Sequence, residues 1–147
     1  MDISFEIYKK SVYDEVSKTT SYTGAKMDDE HAYDRIFTTD EDQAMLERFW
    51  GECRNTICNS LKKILVSEEE TDGLYKLSLG LSNSFDSSLV GSMKRSLFSF
   101  FVMNITSKWY TFSNKPEATG YATEAATYME DVMRKAFYKK KPVRPTY

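Results

Sequence analysis

The stretch from Asp86 to Ser113 constrains the fold most, because its apolar residues cover more than one face of a helix. A first stripe recurs at steps of four, four, four, four and seven residues: Leu89, Met93, Leu97, Phe101, Ile105 and Phe112. A second stripe lies beside it: Val90, Phe98, Val102 and Trp109. A surface helix needs only one apolar face, so this spacing predicts a central helix with neighbours on several sides. The polar residues Lys94, Arg95, Asn104 and Lys108 interrupt every apolar window of about 18 residues, which argues against a membrane span.

Three further helices are predicted around this one. The first covers residues 3–18, where Phe5, Tyr8, Val12 and Val16 have helical spacing, and Asp2 or Ser4 would cap it. The second begins at a capping box of Thr38 with Glu41 and runs through Leu65. Its apolar positions recur at steps of three or four: Leu46, Phe49 or Trp50, Cys53, Ile57, Leu61 and Ile64. The last helix covers residues 116–138, with an apolar face formed by Tyr121, Ala125, Tyr128 or Met129, Val132 and Ala136.

One strand is predicted over residues 74–82. Four apolar residues alternate there with small or polar ones: Tyr75, Leu77, Leu79 and Leu81. Period two indicates a half-buried strand, and a lone strand needs a partner. Residues 32–38 and a strand of a neighbouring subunit are both open as that partner. The preceding Ser67–Gly73, with three consecutive glutamates, is interpreted as a solvated turn. The predicted fold is mainly α, a four-helix bundle-like single domain over 1–138 with a small β element.

Residues that could carry chemistry are few. The single histidine, His31, excludes the paired Glu-x-x-His arrangement of di-iron bundles and any zinc site with several histidines. Cys53 and Cys58 are five residues apart on one predicted helix, which places them on different faces, so we expect no disulfide between them. We expect both to be small buried apolar residues. The absence of a disulfide favours a reducing, intracellular origin. No signal peptide is expected from the first residues. We therefore predict a protein that is not an enzyme and uses no cofactor or metal.

Aromatic residues and core polar groups offer alternatives. Trp50, Trp109 and Tyr110 could stack on nucleobases, although helix-core positions are the favoured interpretation. Exposed tyrosines would instead mark a contact surface: Tyr13, Tyr22 and Tyr33. A catalytic or ligand-binding bundle would need convergent polar residues in the core. Asn104 and Thr106 are the candidates for such residues, but we interpret both as helix-surface residues.

Charge is divided unevenly along the chain. Of the 147 residues, those from Asp28 to Glu47 include eight acids, among them Asp40, Glu41 and Asp42, and one base. The extended arm at residues 139–147 carries four bases and no acid: Lys139, Lys140, Lys141 and Arg144. The net charge of −2 becomes −6 without that arm. Three roles are open for the arm: a disordered solubilising end, phosphate binding to nucleic acid, or a contact with the acidic segment 28–47 of a neighbouring subunit.

The layout resembles that of the small helical head–tail connector (adaptor) proteins of tailed bacteriophages and prophages. The matching parts are the polar segment leading into Phe37-Thr38-Thr39-Asp40-Glu41-Asp42, the long helix after it, the strand-like insertion at 74–82, and the aromatic central helix ending in Lys108-Trp109-Tyr110. A short first helix and a final helix with a Pro/Arg arm complete the match.

The resemblance implies a structural assembly protein of the virion, made in the cytoplasm of a bacterial host. It implies rings of identical subunits beneath a portal protein, with strands or arms passed between subunits. The strand Tyr75–Leu81, the basic arm and the acidic residues from Asp40 to Asp42 would then form the subunit contacts. The alternative is a small nucleic-acid-binding regulatory protein that uses the basic arm and exposed tyrosines. No membrane contact is expected.

Overall fold

A computed structural model describes residues 1–20, 40–113 and 115–138. The described residues are mostly helical. Their four helices are α1 (Lys9–Thr20), α2 (Asp40–Ser60), α3 (Val90–Ser113) and α4 (Lys115–Ala136). Their three strands are β1 (Asp2–Tyr8), β2 (Leu65–Thr71) and β3 (Leu74–Gly80), which form one antiparallel sheet in the order β1-β3-β2. No described helix combines the length and the apolarity that crossing a bilayer requires.

The central helix is confirmed. Helix α3 buries four residues of the first predicted stripe completely: Met93, Leu97, Phe101 and Ile105. In the second stripe Val102 is buried, whereas Val90, Phe98 and Trp109 are half-buried. Helices α1, α2 and α4 and strand β1 all pack against α3, as expected for a helix with apolar residues on several faces. A short 3-10 turn at Ser87–Leu89 leads into it, and the Asp86 carboxylate accepts a hydrogen bond from the Ser88 N–H at 3.1 Å.

The predicted first helix over residues 3–18 is wrong in its first half. Asp2–Tyr8 is strand β1, and helix α1 begins only at Lys9, so the proposed caps do not lie at a helix start. Phe5 and Ile7 point into the core while Ser4 and Glu6 are exposed, which is the period of two that a strand produces. Tyr8, assigned to the apolar face of that helix, is 59% exposed.

The predicted polar turn at Ser67–Gly73 is also wrong. Helix α2 ends at Ser60, five residues before the predicted end, and Leu65–Thr71 forms strand β2. Asp72 and Gly73, both with positive φ (52° and 77°), join it to β3. Two consecutive residues of positive φ are what a tight type I′ hairpin requires, and the Asp-Gly dipeptide is well suited to it.

The predicted strand over 74–82 is confirmed as β3, but its partners are not those expected. It pairs on one side with β1, for example Phe5 with Leu77, and on the other with β2, for example Glu69 with Lys76. Both hydrogen-bonding edges are therefore occupied within the chain. The expectation that this strand pairs with a neighbouring subunit is wrong in this structure, because the sheet places β3 at its centre. The other candidate partner, residues 32–38, lies outside the described residues.

Helix α4 is confirmed to within two residues of its predicted bounds. Ala125, Met129, Val132 and Ala136 are buried along one face. The helix runs antiparallel to α3, because the Ser107 hydroxyl near the end of α3 donates to the Ala118 carbonyl at 2.9 Å. Ser96, near the start of α3, donates to Asp131 at 2.7 Å.

Candidate functional site

A network of charged side chains joins the sheet to helices α1 and α2. Lys9, the first residue of α1, lies 2.7 Å from Glu47 of α2 and 2.9 Å from Glu70 of β2, measured from its Nζ to a carboxylate oxygen. The Tyr13 hydroxyl donates to the other Glu47 oxygen at 3.0 Å. This lysine therefore links β2 and α2 to the junction of β1 with α1.

The second half of the network surrounds Arg54 of α2. Its guanidinium binds Glu68 through two N–H groups, at 2.9 and 3.0 Å, and lies 5.3 Å from the centre of the Tyr75 ring. Glu70 accepts a hydrogen bond from the indole N–H of Trp50. The glutamates interpreted as a solvated turn thus include two inward-facing members with several partners each.

Electrostatics favour the charged forms of Lys9, Arg54, Glu68 and Glu70. The hydrogen bond from Arg54 holds the pKa of Glu68 below its usual range. Burial by itself would raise the pKa of Glu70, but hydrogen bonds from Lys9 and Trp50 outweigh it, so that pKa is also lowered. Burial likewise opposes the charge of Lys9, yet its two glutamates raise the pKa overall. Every charge here has an opposite partner, so the arrangement stabilises the junction of sheet and helices.

The aromatic residues of the network form part of the core. The Trp50 ring stacks on Phe101 with centroids 4.4 Å apart, and meets Tyr13 and Tyr75 edge-on at 6.0 Å each. The core position predicted for Trp50 is confirmed. Tyr13, predicted as a possible exposed contact residue, is buried instead, because its ring packs on Trp50 while its hydroxyl reaches Glu47. Tyr22 and Tyr33 lie outside the described residues.

Both cysteines are free thiols, as predicted. Cys53 is fully buried, which raises the pKa of its thiol to about 12, and Cys58 is half-buried. The Asn104 amide donates to the Cys53 sulfur at 3.1 Å. Thr106, interpreted from the sequence as a helix-surface residue, is fully buried, so that interpretation is wrong. Within the described ranges no three His, Cys, Asp or Glu side chains come close enough to hold a metal ion; His31 lies outside those ranges.

The predicted subunit-contact residues fall into three places. Tyr75, Leu77, Leu79 and Leu81 are each at most 4% exposed and serve the core, so they are not available for contact with a partner. Glu41 is exposed and Asp42 half-exposed in the first turn of α2, which begins at Asp40. The arm residues lie outside the described part of the chain: Lys139, Lys140, Lys141 and Arg144.

A basic surface that the sequence analysis missed lies where α2 and α4 end. Lys62 and Lys63, just after α2, are exposed, as is Arg134 in the last turn of α4. Phe137 and Tyr138, which follow α4, are 50% and 51% exposed. We call these five residues the basic end. The basic sequence 139–147 follows directly after Tyr138.

The comparisons with known proteins identify no relative of this chain. No protein-family model, no curated protein and no solved structure matches this chain. The functional argument therefore depends on the residues themselves.

Proposed function

We propose that this protein is a non-enzymatic structural assembly protein, a subunit of a head–tail connector ring of a tailed bacteriophage or prophage. The resemblance of its layout to that family motivates the proposal. In this proposal residues 1–138 form one bundle-like domain, and residues 139–147 form an extended arm that contacts a neighbouring subunit. A portal protein would be the adjoining partner.

The observation that carries the proposal is the separation of charge along α2. Glu41 and Asp42 lie in its first turn, and the acidic sequence 28–39 precedes it. Lys62 and Lys63 follow its last residue. A helix of 21 residues spans about 30 Å, so these opposite charges lie at opposite ends of α2. Two such molecules attract when the basic end of one meets the acidic end of the next.

This contact joins two different surfaces, so it is heterologous, and a heterologous contact closes into a ring when the rotation between neighbours allows it. The position of β3 changes the mechanism expected from the sequence. Since β3 is enclosed by β1 and β2, the arm and the charged ends carry the proposed assembly, and strand exchange by β3 has no part in it.

Light scattering of the purified chain at several concentrations and salt concentrations tests the proposal. We expect a discrete oligomer that dissociates as salt rises, because salt screens contacts between exposed charges. A variant that ends at Tyr138 should dissociate at lower salt. A monomer of 17.0 kDa under every condition, including in the presence of a portal protein, would contradict the proposal.

The basic end also supports the alternative, a nucleic-acid-binding regulatory protein. Lys62, Lys63 and Arg134 add exposed positive charge beside the arm, and such a face is what phosphate binding needs. The acidic remainder of the chain opposes that role. Titration with labelled duplex DNA at low salt distinguishes the two functions. The regulatory protein would bind the DNA as a monomer, whereas the connector proposal expects an oligomer to form without DNA.

A further inference from the structure

A cleft of about 310 Å³ opens between the ends of α2 and α4, inside the basic end. Its lining residues are Asn59, Ser60, Lys62, Lys63, Met133 and Phe137. Met133 also lines a second cleft of about 290 Å³, which runs back between Thr56 of α2 and Ala126 of α4. We call the first cleft the groove; Met133 and Phe137 give it apolar atoms, and the two lysines give it positive charge.

The lining of the groove suits a ligand that is both apolar and acidic. Phe137 exposes half of its surface there, and burying such a ring is favourable by roughly 25 cal/mol per Å² of apolar area. Lys62 and Lys63, which line it, are both exposed. Arg134 is exposed in the last turn of α4. Lys135 differs, because it is engaged with Asp131 at 2.7 Å within the chain.

We propose that this groove binds residues 28–37 of a second copy of the chain. That sequence carries four acids, Asp28, Asp29, Glu30 and Asp34, against one base. It also carries three large apolar residues that can contact Met133 and Phe137: Tyr33, Ile36 and Phe37. The acids complement Lys62 and Lys63, and the apolar residues supply the buried anchors that binding energy usually depends on.

The distance along α2 shows that two of the anchors, Ile36 and Phe37, must come from another molecule. Asp40 begins α2 and Asn59 lies 19 residues later, about 28 Å away at the helical rise per residue. Ile36 is four residues before Asp40 and reaches at most about 14 Å from it in a fully extended chain. Ile36 and Phe37 therefore cannot enter the groove of their own chain. Binding is between copies and head-to-tail.

This inference rests on the proposed assembly function and gives it a specific contact. A charge exchange between two full-length variants tests it. One variant carries Lys62→Glu with Lys63→Glu, and the other carries Asp28→Lys with Asp29→Lys. Each alone places like charges at the contact, whereas a mixture of the two restores opposite charges at both kinds of contact.

We expect each variant alone to have the light-scattering mass of a monomer, and an equimolar mixture to recover the oligomer of the unmodified chain. The matched control is Arg48→Glu with Lys76→Glu, exposed residues on α2 and on the outer face of the sheet, and it should assemble normally. Circular dichroism checks that every variant is folded. If the unmodified chain assembles and the mixture stays monomeric, or each variant assembles alone, the groove contact is wrong although the assembly function stands.

A peptide of residues 28–39 with a fluorescent label tests the groove even if the chain is monomeric. Fluorescence anisotropy should show saturable binding to the full-length protein that weakens at least tenfold in the Lys62→Glu, Lys63→Glu variant. It should weaken to a similar extent when Ile36 and Phe37 of the peptide become serine, and change less than twofold in the control variant. Absence of saturable binding, or equal loss in the control, overturns the inference.

Discussion

Replacing Glu70 by glutamine tests the charged network at the junction of β2 with α2. The Glu70 carboxylate accepts from the Trp50 indole and lies 2.9 Å from Lys9 and 3.6 Å from Arg54. Its side chain is only 20% exposed. Glutamine has nearly the same shape and keeps one acceptor oxygen for Trp50. The substitution removes the charge and replaces the oxygen that faces Lys9 with an amide NH2 group.

The expected loss follows from these contacts. Hydrogen bonds to charged groups contribute about 1.5–3 kcal/mol, whereas exposed ion pairs contribute about 0–1 kcal/mol. Lys9 keeps Glu47 and Arg54 keeps Glu68, so only part of each interaction is lost. We expect Glu70→Gln to lower the free energy of unfolding by about 1–2 kcal/mol near neutral pH. Each kcal/mol corresponds to a fall in Tm of about 2–4 °C for a chain of this size.

The difference should depend on pH in a defined direction. The pKa of Glu70 is lower in the folded protein than its ordinary value of 4.5. A group of this kind stabilises the fold at pH values above its unfolded pKa, and that stabilisation is lost as the pH falls through the folded pKa. The gap between the unmodified chain and Glu70→Gln should therefore be full at neutral pH and shrink well below pH 4.5.

Glu69→Gln is the matched control, because Glu69 is exposed on the opposite face of the same strand. Surface substitutions of this kind change stability by less than about 0.5 kcal/mol. Urea unfolding followed by circular dichroism, at neutral and at acidic pH, measures both variants. If Glu70→Gln costs no more than Glu69→Gln, or if its cost does not fall with pH, the network does not stabilise the fold as argued.

Three substitutions and one labelling experiment test the core, the glycines and the thiols. Phe101→Ala should lower the free energy of unfolding by about 3–5 kcal/mol in a urea titration, because its fully buried ring stacks on Trp50. Gly73→Ala should lower it by about 1–2 kcal/mol since φ is 77° there, whereas Gly51→Ala, with open space in α2, should raise it by about 0.5–1 kcal/mol. Ellman's reagent should modify Cys58 in the native protein and Cys53 only after unfolding in guanidinium; equal reactivity of the two native thiols would contradict the burial of Cys53.

The parts of the fold that the sequence predicts are those with a long and unambiguous apolar period. Helix α3 shows the same stripe over about twenty residues, so a helix is the only element that buries it. Strand β3 alternates over seven residues, and its apolar set, Tyr75, Leu77 and Leu79, is buried as that alternation requires.

Strand β1 was missed because two periods fit the same residues. Phe5 and Tyr8 continue the helical spacing of Val12 and Val16, while Phe5 also alternates with its neighbours in a strand pattern. Pairing with β3 decides between them, since β1 supplies hydrogen bonds to an edge that would otherwise be unpaired. Tertiary contacts of this kind are not visible in a segment of seven residues.

Strand β2 was missed for a different reason, because its inward face is polar. Glu68 and Glu70 point toward Arg54 and Lys9, so no apolar alternation marks the strand. Only the Asp72-Gly73 dipeptide indicated a hairpin. Recognising it would have predicted a strand before the turn as well as after it, and so an intramolecular partner for β3.

The groove could not be predicted, because its parts are distant in sequence. Lys62 and Lys63 are separated from Met133 and Phe137 by about seventy residues. Lys62 and Lys63 stand between Leu61 and Ile64 of the predicted second helix, and nothing in their spacing associates them with α4. What the sequence did predict was the overall distribution of charge, an acidic segment before α2 and a basic arm after α4.

The charge gathered before α2 and after α4 is greater than compensation of the helix dipoles requires. Acids in the first turn of α2 and Arg134 with Lys135 in the last turn of α4 compensate the helix dipoles. The dipole effect fades within one turn, so it does not account for the four acids at 28–34 or the four bases at 139–147. Like charges gathered in this way repel one another within a single molecule. The proposed head-to-tail contact would bring the two excess charges together and relieve the repulsion at both ends, and salt should weaken that contact more than it weakens the fold.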